Sequence, residues 1–145
     1  MSDDWAKKAA KAFKAAQEQR ETRDAKALLD EKLKKTWAPR KWDELRLLLH
    51  SKADSFNAEA GDMLIWESPR TKEAIVRLAD DDTRLICTYD SEEFSVEIKC
   101  SLIGRKYVVE VVKGQVVFVD SRKVPVALEQ IAEEALDSLL TFLAA

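Results

Sequence analysis

Two periodicities divide the chain. From residue 3 to about 60 the apolar positions recur at helical spacing. Trp5, Ala9, Phe13 and Ala16 fall at i, i+4, i+8 and i+11, which makes one apolar stripe. From Gln17 to Asp24 no large apolar residue occurs, and the pattern resumes with Leu28, Leu29, Leu33 and Trp37. Residues 3–35 hold neither Gly nor Pro and are rich in Ala, Lys, Glu, Gln and Leu, a strongly helix-forming composition. The spacing predicts an arm over about 3–20 and a second piece over about 22–36, continuous or hinged, with its polar middle in solvent. Pro39 is expected in the first turn of the next helix, where its missing N–H costs nothing. Trp42, Leu45, Leu49, Ala53 and Phe56 then form a core-facing stripe, widened by Leu48, and Gly61 suits a left-handed stop. Trp37 and Trp42 bracket Pro39 and are expected to pack the corner between the two helices.

From residue 62 the period changes to two. Phe94, Val96, Ile98, Cys100 and Leu102 alternate with Ser95, Glu97, Lys99 and Ser101, as in a half-buried strand. Similar inward sets are Ala74, Val76 and Leu78; Leu85, Cys87 and Tyr89; and Tyr107, Val109 and Val111. Strands are predicted near 62–66, 72–79, 83–89, 94–102, 106–112 and 115–120. A two-residue turn at Lys113-Gly114 pairs Val112 with Gln115, Val109 with Phe118 and Val108 with Val119. Tight turns elsewhere pair Val76 with Cys87, Cys87 with Val96, and Ile98 with Val111. Every pairing keeps the inward set on one face, as a meander requires. Cys87 and Cys100 then lie four residues out of register, which forbids a disulfide and makes them buried thiols.

A final helix is predicted from Val124-Pro125 onward. Leu128, Ile131, Ala132, Ala135, Leu139 and Leu143, with Phe142 alongside, form its broad apolar face. It should pack across the inward face of the sheet. The opposite sheet face carries Ile75, Ile86, Val108, Val112, Val117 and Val119. Such a face needs a cover: the chain's own N-terminal helices, with helix 39–60 and the Trp-bearing segments available for it, or else a second subunit or a partner. The fold class is therefore α+β: two N-terminal helical segments, an antiparallel meander of five or six strands, and a long amphipathic C-terminal helix. Residues 1–36 form a helical arm and residues 37–145 a single domain.

Composition changes this picture mainly by exclusion. The chain has 145 residues, a net charge of −3, three Gly, three Pro, two Cys and one His. So few glycines leave no phosphate-cradling loop, and one His makes no multi-His metal centre. No CxxC pair occurs, so neither a zinc knuckle nor a disulfide framework is expected. The first residues lack the basic and apolar regions of a secretory leader, no apolar run reaches membrane-spanning length, and a cytoplasmic location is expected. Each Gly and Pro is expected at an element boundary, which leaves little loop for an active site. Charge is uneven. Residues 1–40 hold 11 basic and 7 acidic side chains, and residues 61–100 hold 5 and 10.

The candidate chemistry is sparse. His50 has Asp54 four residues on, which could orient an imidazole, but no nucleophile accompanies it and a surface ion pair is the simpler reading. Asp80-Asp81-Asp82 and Asp90, Glu92 and Glu93 are expected in loops at opposite ends of one strand. Arg105 and Lys106 should share the first end, and Arg70 and Lys72 the second. The basic residues of the arm, Lys7, Lys8, Lys11, Lys14, Arg20, Arg23 and Lys26, are interrupted by Glu18, Glu21 and Asp24, so nucleic acid is not the expected partner. Neither a cofactor nor a metal is expected.

In order of elements alone the chain is similar to two loose groups. Small secretion-chaperone-like dimers interrupt their sheet with a helix. Sheet-plus-helix modules of the pleckstrin-homology type carry seven strands against the six counted here. Neither likeness transfers any residue role. The expected function is non-enzymatic protein binding or an adaptor-like role, through a protein partner or self-association as a homodimer. Its contacts would be Trp5 and Phe13 of the arm with Val108, Val112, Val117 and Val119 of the sheet. The alternative is a carrier or enzyme for a small apolar ligand, lined by Cys87, Tyr89, Tyr107 and Phe118 between sheet and C-terminal helix.

Overall fold

The computed structural model describes residues 2–101 and 103–141. Its first element is one helix, α1 (Ser2–Ala60). The arm, the second piece and the helix expected after Pro39 are thus a single rod, and Pro39 lies inside it. Proline removes the N–H that would bond the carbonyl of Lys35 and crowds that turn. Lys35 and Pro39 are exposed, so water can take the freed carbonyl, while Ala38, Trp42 and Leu45 are locked in the core on the other side. Tertiary packing thus overrides the local break. Replacing Pro39 with Ala restores the missing bond, and Pro39→Ala is expected to raise stability by about 1–3 kcal/mol in urea unfolding.

Seven strands follow: β1 (Leu64–Arg70), β2 (Glu73–Leu78), β3 (Arg84–Asp90), β4 (Ser95–Cys100), β5 (Ile103–Val112), β6 (Gln115–Val119) and β7 (Pro125–Val126). They form one antiparallel sheet in the order of the sequence, ahead of α2 (Leu128–Leu140). Pro125 opens a two-residue edge strand rather than the last helix, which starts at Leu128. Phe142 and Leu143 lie outside the described residues, as does Leu102.

The inward set occupies one face throughout, but the registers differ from those expected. Val76 faces Leu85, Cys87 faces Ile98 and Ile98 faces Arg105. The β2–β3 and β3–β4 pairings are displaced by two residues and β4–β5 by six. Each displacement is even, so no side chain changes face. The β5–β6 hairpin pairs as expected, Val112 with Gln115 and Val108 with Val119. There Lys113 and Gly114 both have positive φ, as a tight hairpin turn demands. The β3–β4, β4–β5 and β6–β7 turns use left-handed residues without glycine, Phe94, Ser101 and Lys123.

Only Gly61 and Gly114 keep their expected boundary positions, both at positive φ. Gly104 lies within β5, Pro39 within α1, and Pro69 within β1. Pro69 is tolerated because β1 is an edge strand with an irregular register between Glu67 and Arg70.

Both helices pack on the same face of the sheet. The core joins Ala38, Trp42, Leu45, Leu49 and Ala53 of α1, Ile131, Ala132, Ala135, Leu136 and Leu139 of α2, and the inward strand residues. Lys52 Nζ bonds Glu133 Oε1 at 2.9 Å across the two helices. The expectation that α1 covers the valine face is therefore wrong. The reason is width: seven strands span about 29 Å, and one helix covers only about 10 Å of it. Two helices are needed to seal the inner face, and none is left for the outer one. At its C-terminal end α1 is tied to β1 by Asn57, whose Nδ2 donates to the Leu64 carbonyl at 2.8 Å. The Asn57 Oδ1 accepts from the backbone N–H of Met63 and Leu64.

Candidate functional site

The longest free surface is the first half of α1. Every residue from Asp3 to Leu29 is exposed, a stretch about 40 Å long at 1.5 Å per residue. Asp30, Leu33 and Lys34 are half-buried, and Ala38 is the first fully buried side chain. Lys34 Nζ meets Glu110 Oε2 of β5 at 3.0 Å, so docking begins there. The arm keeps its large apolar groups in water: Trp5 is 74% exposed and Phe13 69%, and Leu28 and Leu29 are exposed as well.

Where the arm meets the sheet a groove of about 400 Å³ is lined by Leu33, Trp37, Lys41, Gly114, Val116 and Val117. A second groove, of about 290 Å³, continues past Lys41, Val116 and Val117 to Val126 and Leu128. Trp37, expected to pack a corner between two helices, is 39% exposed on this rim because there is no corner. Arg40 lies 4.8 Å over its ring, a cation–π contact. Trp42, its expected companion, is fully in the core.

The valine face is quieter than its sequence suggests. Val119 and Ile75 are buried, and Ile86, Val108, Val112 and Val117 are half-buried; α1 reaches this face at Val117, beside Leu33 and Trp37. Direct cross-strand neighbours shade one another, Val108 against Val119 and Ile75 against Ile86. Of the four valines, Val117 alone lines the groove beside Trp37. The structure does not bring Trp5 and Phe13 near any of them.

The four residues of the alternative pocket are all buried in one core cluster. Tyr89 stacks on Trp42 at 5.8 Å, and its buried hydroxyl has no hydrogen-bond partner. Tyr107 and Phe118 each touch the rim of a separate surface groove. Cys87 and Cys100 are free and buried. They are two residues out of register on neighbouring strands, not four. Such diagonal neighbours are about 7–8 Å apart, still too far for a disulfide.

Burial pushes the Cys87 thiol up to about 12, with Cys100 contributing, and raises Cys100, Tyr89 and Tyr107 by the same cause. A group whose folded pKa lies above its unfolded value contributes stability below the unfolded value and loses it as pH rises toward the folded one. For Cys87 that window runs from 9.0 to about 12, so stability is expected to fall in that alkaline range. At pH 8 a thiol-disulfide reagent should titrate neither cysteine in the folded protein and both in denaturant. Rapid native labelling would show that the sheet opens at Cys87.

His50 sits over β1, stacked on Trp66 at 4.8 Å with nearly parallel rings, and its Nε2 is 3.4 Å from Asp54 Oδ2. No nucleophile joins them. Among the described residues no group of three His, Cys, Asp or Glu could hold a metal ion. Lys72 stands beside the Asp90 turn as expected, its Nζ donating to Ser91 Oγ at 2.9 Å, but the basic residues expected beside Asp80 are placed differently. Because β5 starts at Ile103, Arg105 and Lys106 lie within the strand and not in a turn beside Asp80. Lys106 Nζ meets Glu93 Oε2 at 2.8 Å, and Arg105 reaches Glu134 of α2 at 2.6 Å. Two N–H groups, of Glu92 and Glu93, donate to Asp90 Oδ1 and hold its carboxyl below the usual range, helped by Lys106 and Lys72. This is a closed turn. Comparison with protein-family models, with curated proteins and with solved structures finds no match for the chain.

Proposed function

We propose that the protein is a non-enzymatic binding module of adaptor type, which takes a protein partner or a second copy of itself along the arm and its base. The contact would run from Leu28 and Leu29 into the groove at Leu33, Trp37 and Val117. It would extend over the half-buried sheet positions Val108 and Val112, with Trp5 and Phe13 offering a separate contact at the far end of the arm. The observation that carries this reading is the unbroken exposure of α1 from Asp3 to Leu29. Helices in proteins draw most of their stability from packing an apolar face, and here two exposed aromatics and two leucines gain nothing in water. Covering the helix with a partner changes both terms in its favour. The groove at Leu33, Trp37 and Val117 carries one titratable side chain, Lys41, among uncharged and mainly apolar residues, which suits an apolar contact.

Sedimentation velocity over a range of concentrations tests the reading. Association of the full chain, weakened by Trp37→Glu and by Leu28→Glu, is the expected result. A full chain that remains a monomer throughout, and whose arm amides stay unprotected, would overturn self-association.

A further inference from the structure

The outermost part of the arm has a chemistry of its own. From Trp5 to Gln17 there are four lysines and no Asp or Glu. Lys7, Lys8, Lys11 and Lys14 stand at i, i+1, i+4 and i+7, so at about 100° per residue they share one side of the helix. Trp5, Ala9, Ala12, Phe13 and Ala16 occupy the opposite side by the same count. The segment is helical and exposed throughout. Among the described ion pairs none engages Lys7, Lys8, Lys11 or Lys14, whereas Lys34, Lys35 and Lys41 further along α1 are each paired.

Each neighbouring stretch lacks one part of this arrangement: Asp3 and Asp4, just before Trp5, fall on the lysine side by the same count and carry the opposite charge. From Glu18 to Asp24 acids and bases alternate and no large apolar residue occurs. Beyond Leu33 the side chains begin to be used by the domain. Cations segregated from a Trp- and Phe-bearing side, on an unpartnered helix, are what an anionic bilayer surface binds. The aromatic side enters the headgroup region, where Trp is favoured over the acyl core, and the lysines meet lipid phosphates and carboxylates. A helical protein groove would cover the apolar side equally well, but it would leave the four lysines without counter-charge. A nucleic acid would use the lysines and leave Trp5 and Phe13 on the wrong side.

We infer that residues Trp5–Ala16 form a surface-binding element for anionic lipid headgroups, lying along the membrane interface without crossing it. The inference rests on the reading of the arm as a contact element. It gives the outer third a partner distinct from the protein partner proposed for the base, so that the module would link a lipid surface to a protein. No helix of the described residues is long and apolar enough to cross a membrane, in keeping with a segment that lies on one.

Vesicle co-sedimentation of the full chain tests this, with phosphatidylcholine vesicles prepared with and without phosphatidylserine. Binding to the phosphatidylserine vesicles only, and its loss at high salt, are expected. Each lysine near an anionic surface multiplies partitioning about fivefold, so replacing Lys7, Lys8, Lys11 and Lys14 with Gln should lower it at least about a hundredfold. Trp5→Ala with Phe13→Ala should lower it about tenfold or more, since that side supplies the apolar contact. Both variants lie outside the core, and their thermal unfolding should match the parent. Equal binding to both vesicle types, or binding that neither variant weakens, would overturn the inference. So would tighter binding of the same segment to RNA than to phosphatidylserine vesicles. Loss of vesicle binding with concentration-dependent sedimentation intact separates this element from the protein contact at the base. Loss of association in Trp37→Glu with vesicle binding intact separates them in the other direction.

Discussion

Trp42→Ala is expected to lower the stability of the protein by about 3–5 kcal/mol, the largest effect of any single substitution considered. Three losses combine. The indole is 2% exposed and fills the centre of the α1 contact. Its ring stacks on Tyr89 with planes 10° apart, and its Nε1 donates to the Thr71 carbonyl at 2.7 Å, pinning the β1–β2 turn to the helix. Removing it leaves a cavity and an orphaned carbonyl together. Urea unfolding followed by circular dichroism measures the change. The counterpart is Trp5→Ala, expected within about 0.5 kcal/mol of the parent because that ring is 74% exposed. Two tryptophans on one helix should thus differ almost tenfold in their effect on folding, a contrast that follows only if α1 is docked from Ala38 on and free before Asp30.

Removal of residues 1–29 is the second large effect. The remaining chain keeps Leu33, the Lys34–Glu110 ion pair and every buried residue of α1. Its unfolding free energy should stay within about 0.5 kcal/mol of the full chain. Its association with a protein partner or with itself should fall sharply, and its vesicle binding should vanish. A cut at residue 36 instead would remove Leu33 and Lys34, and would mix a loss of packing with the loss of binding. If the 30–145 chain unfolds several kcal/mol more easily than the parent, the arm is a structural part of the domain and the binding proposal loses its basis.

The parity of the sheet was legible from the chain because alternation is a local property: Val96, Ile98 and Cys100 must point one way whatever strand lies beside them. Register was not, because it depends on how many residues each turn consumes. Lys113-Gly114 announces its turn through glycine, and that hairpin paired as expected. Phe94 and Ser101 adopt left-handed backbone without any such signal, and the pairings next to them moved by two and by six residues. Pro39 misled for a related reason. Proline is a local breaker, but Ala38, Trp42, Leu45 and Leu49 continue the helical stripe across it and decide the outcome.

The surfaces divide in the same way. Trp5 and Phe13 stand exposed, as a stripe with no local core to join would suggest. The groove at Trp37 was missed because it is made by residues 80 positions apart, Leu33 and Trp37 against Val116 and Val117. Its signal was present, however. Leu33 and Trp37 continue the apolar pattern just before Pro39, and the paired lysine Lys34 sits between them. The segregation of Lys7, Lys8, Lys11 and Lys14 from Trp5 and Phe13 was also in the sequence. It is hidden when the arm is treated as one basic stretch up to Lys26, because Glu18, Glu21 and Asp24 then dilute it.

Hydrogen exchange read by mass spectrometry on the full chain bears most directly on the claim that the arm is free in the monomer and ordered by what it binds. In dilute solution, amides from Trp5 to Leu28 should exchange near the rate of an unprotected helix. Those from Trp42 to Phe56 and across β2 to β5 should be protected to the level of global unfolding. On association, or on phosphatidylserine vesicles, the arm alone should gain protection. Arm amides as slow as those of Trp42–Phe56 in the dilute monomer, or an arm unchanged under every binding condition, would contradict the account.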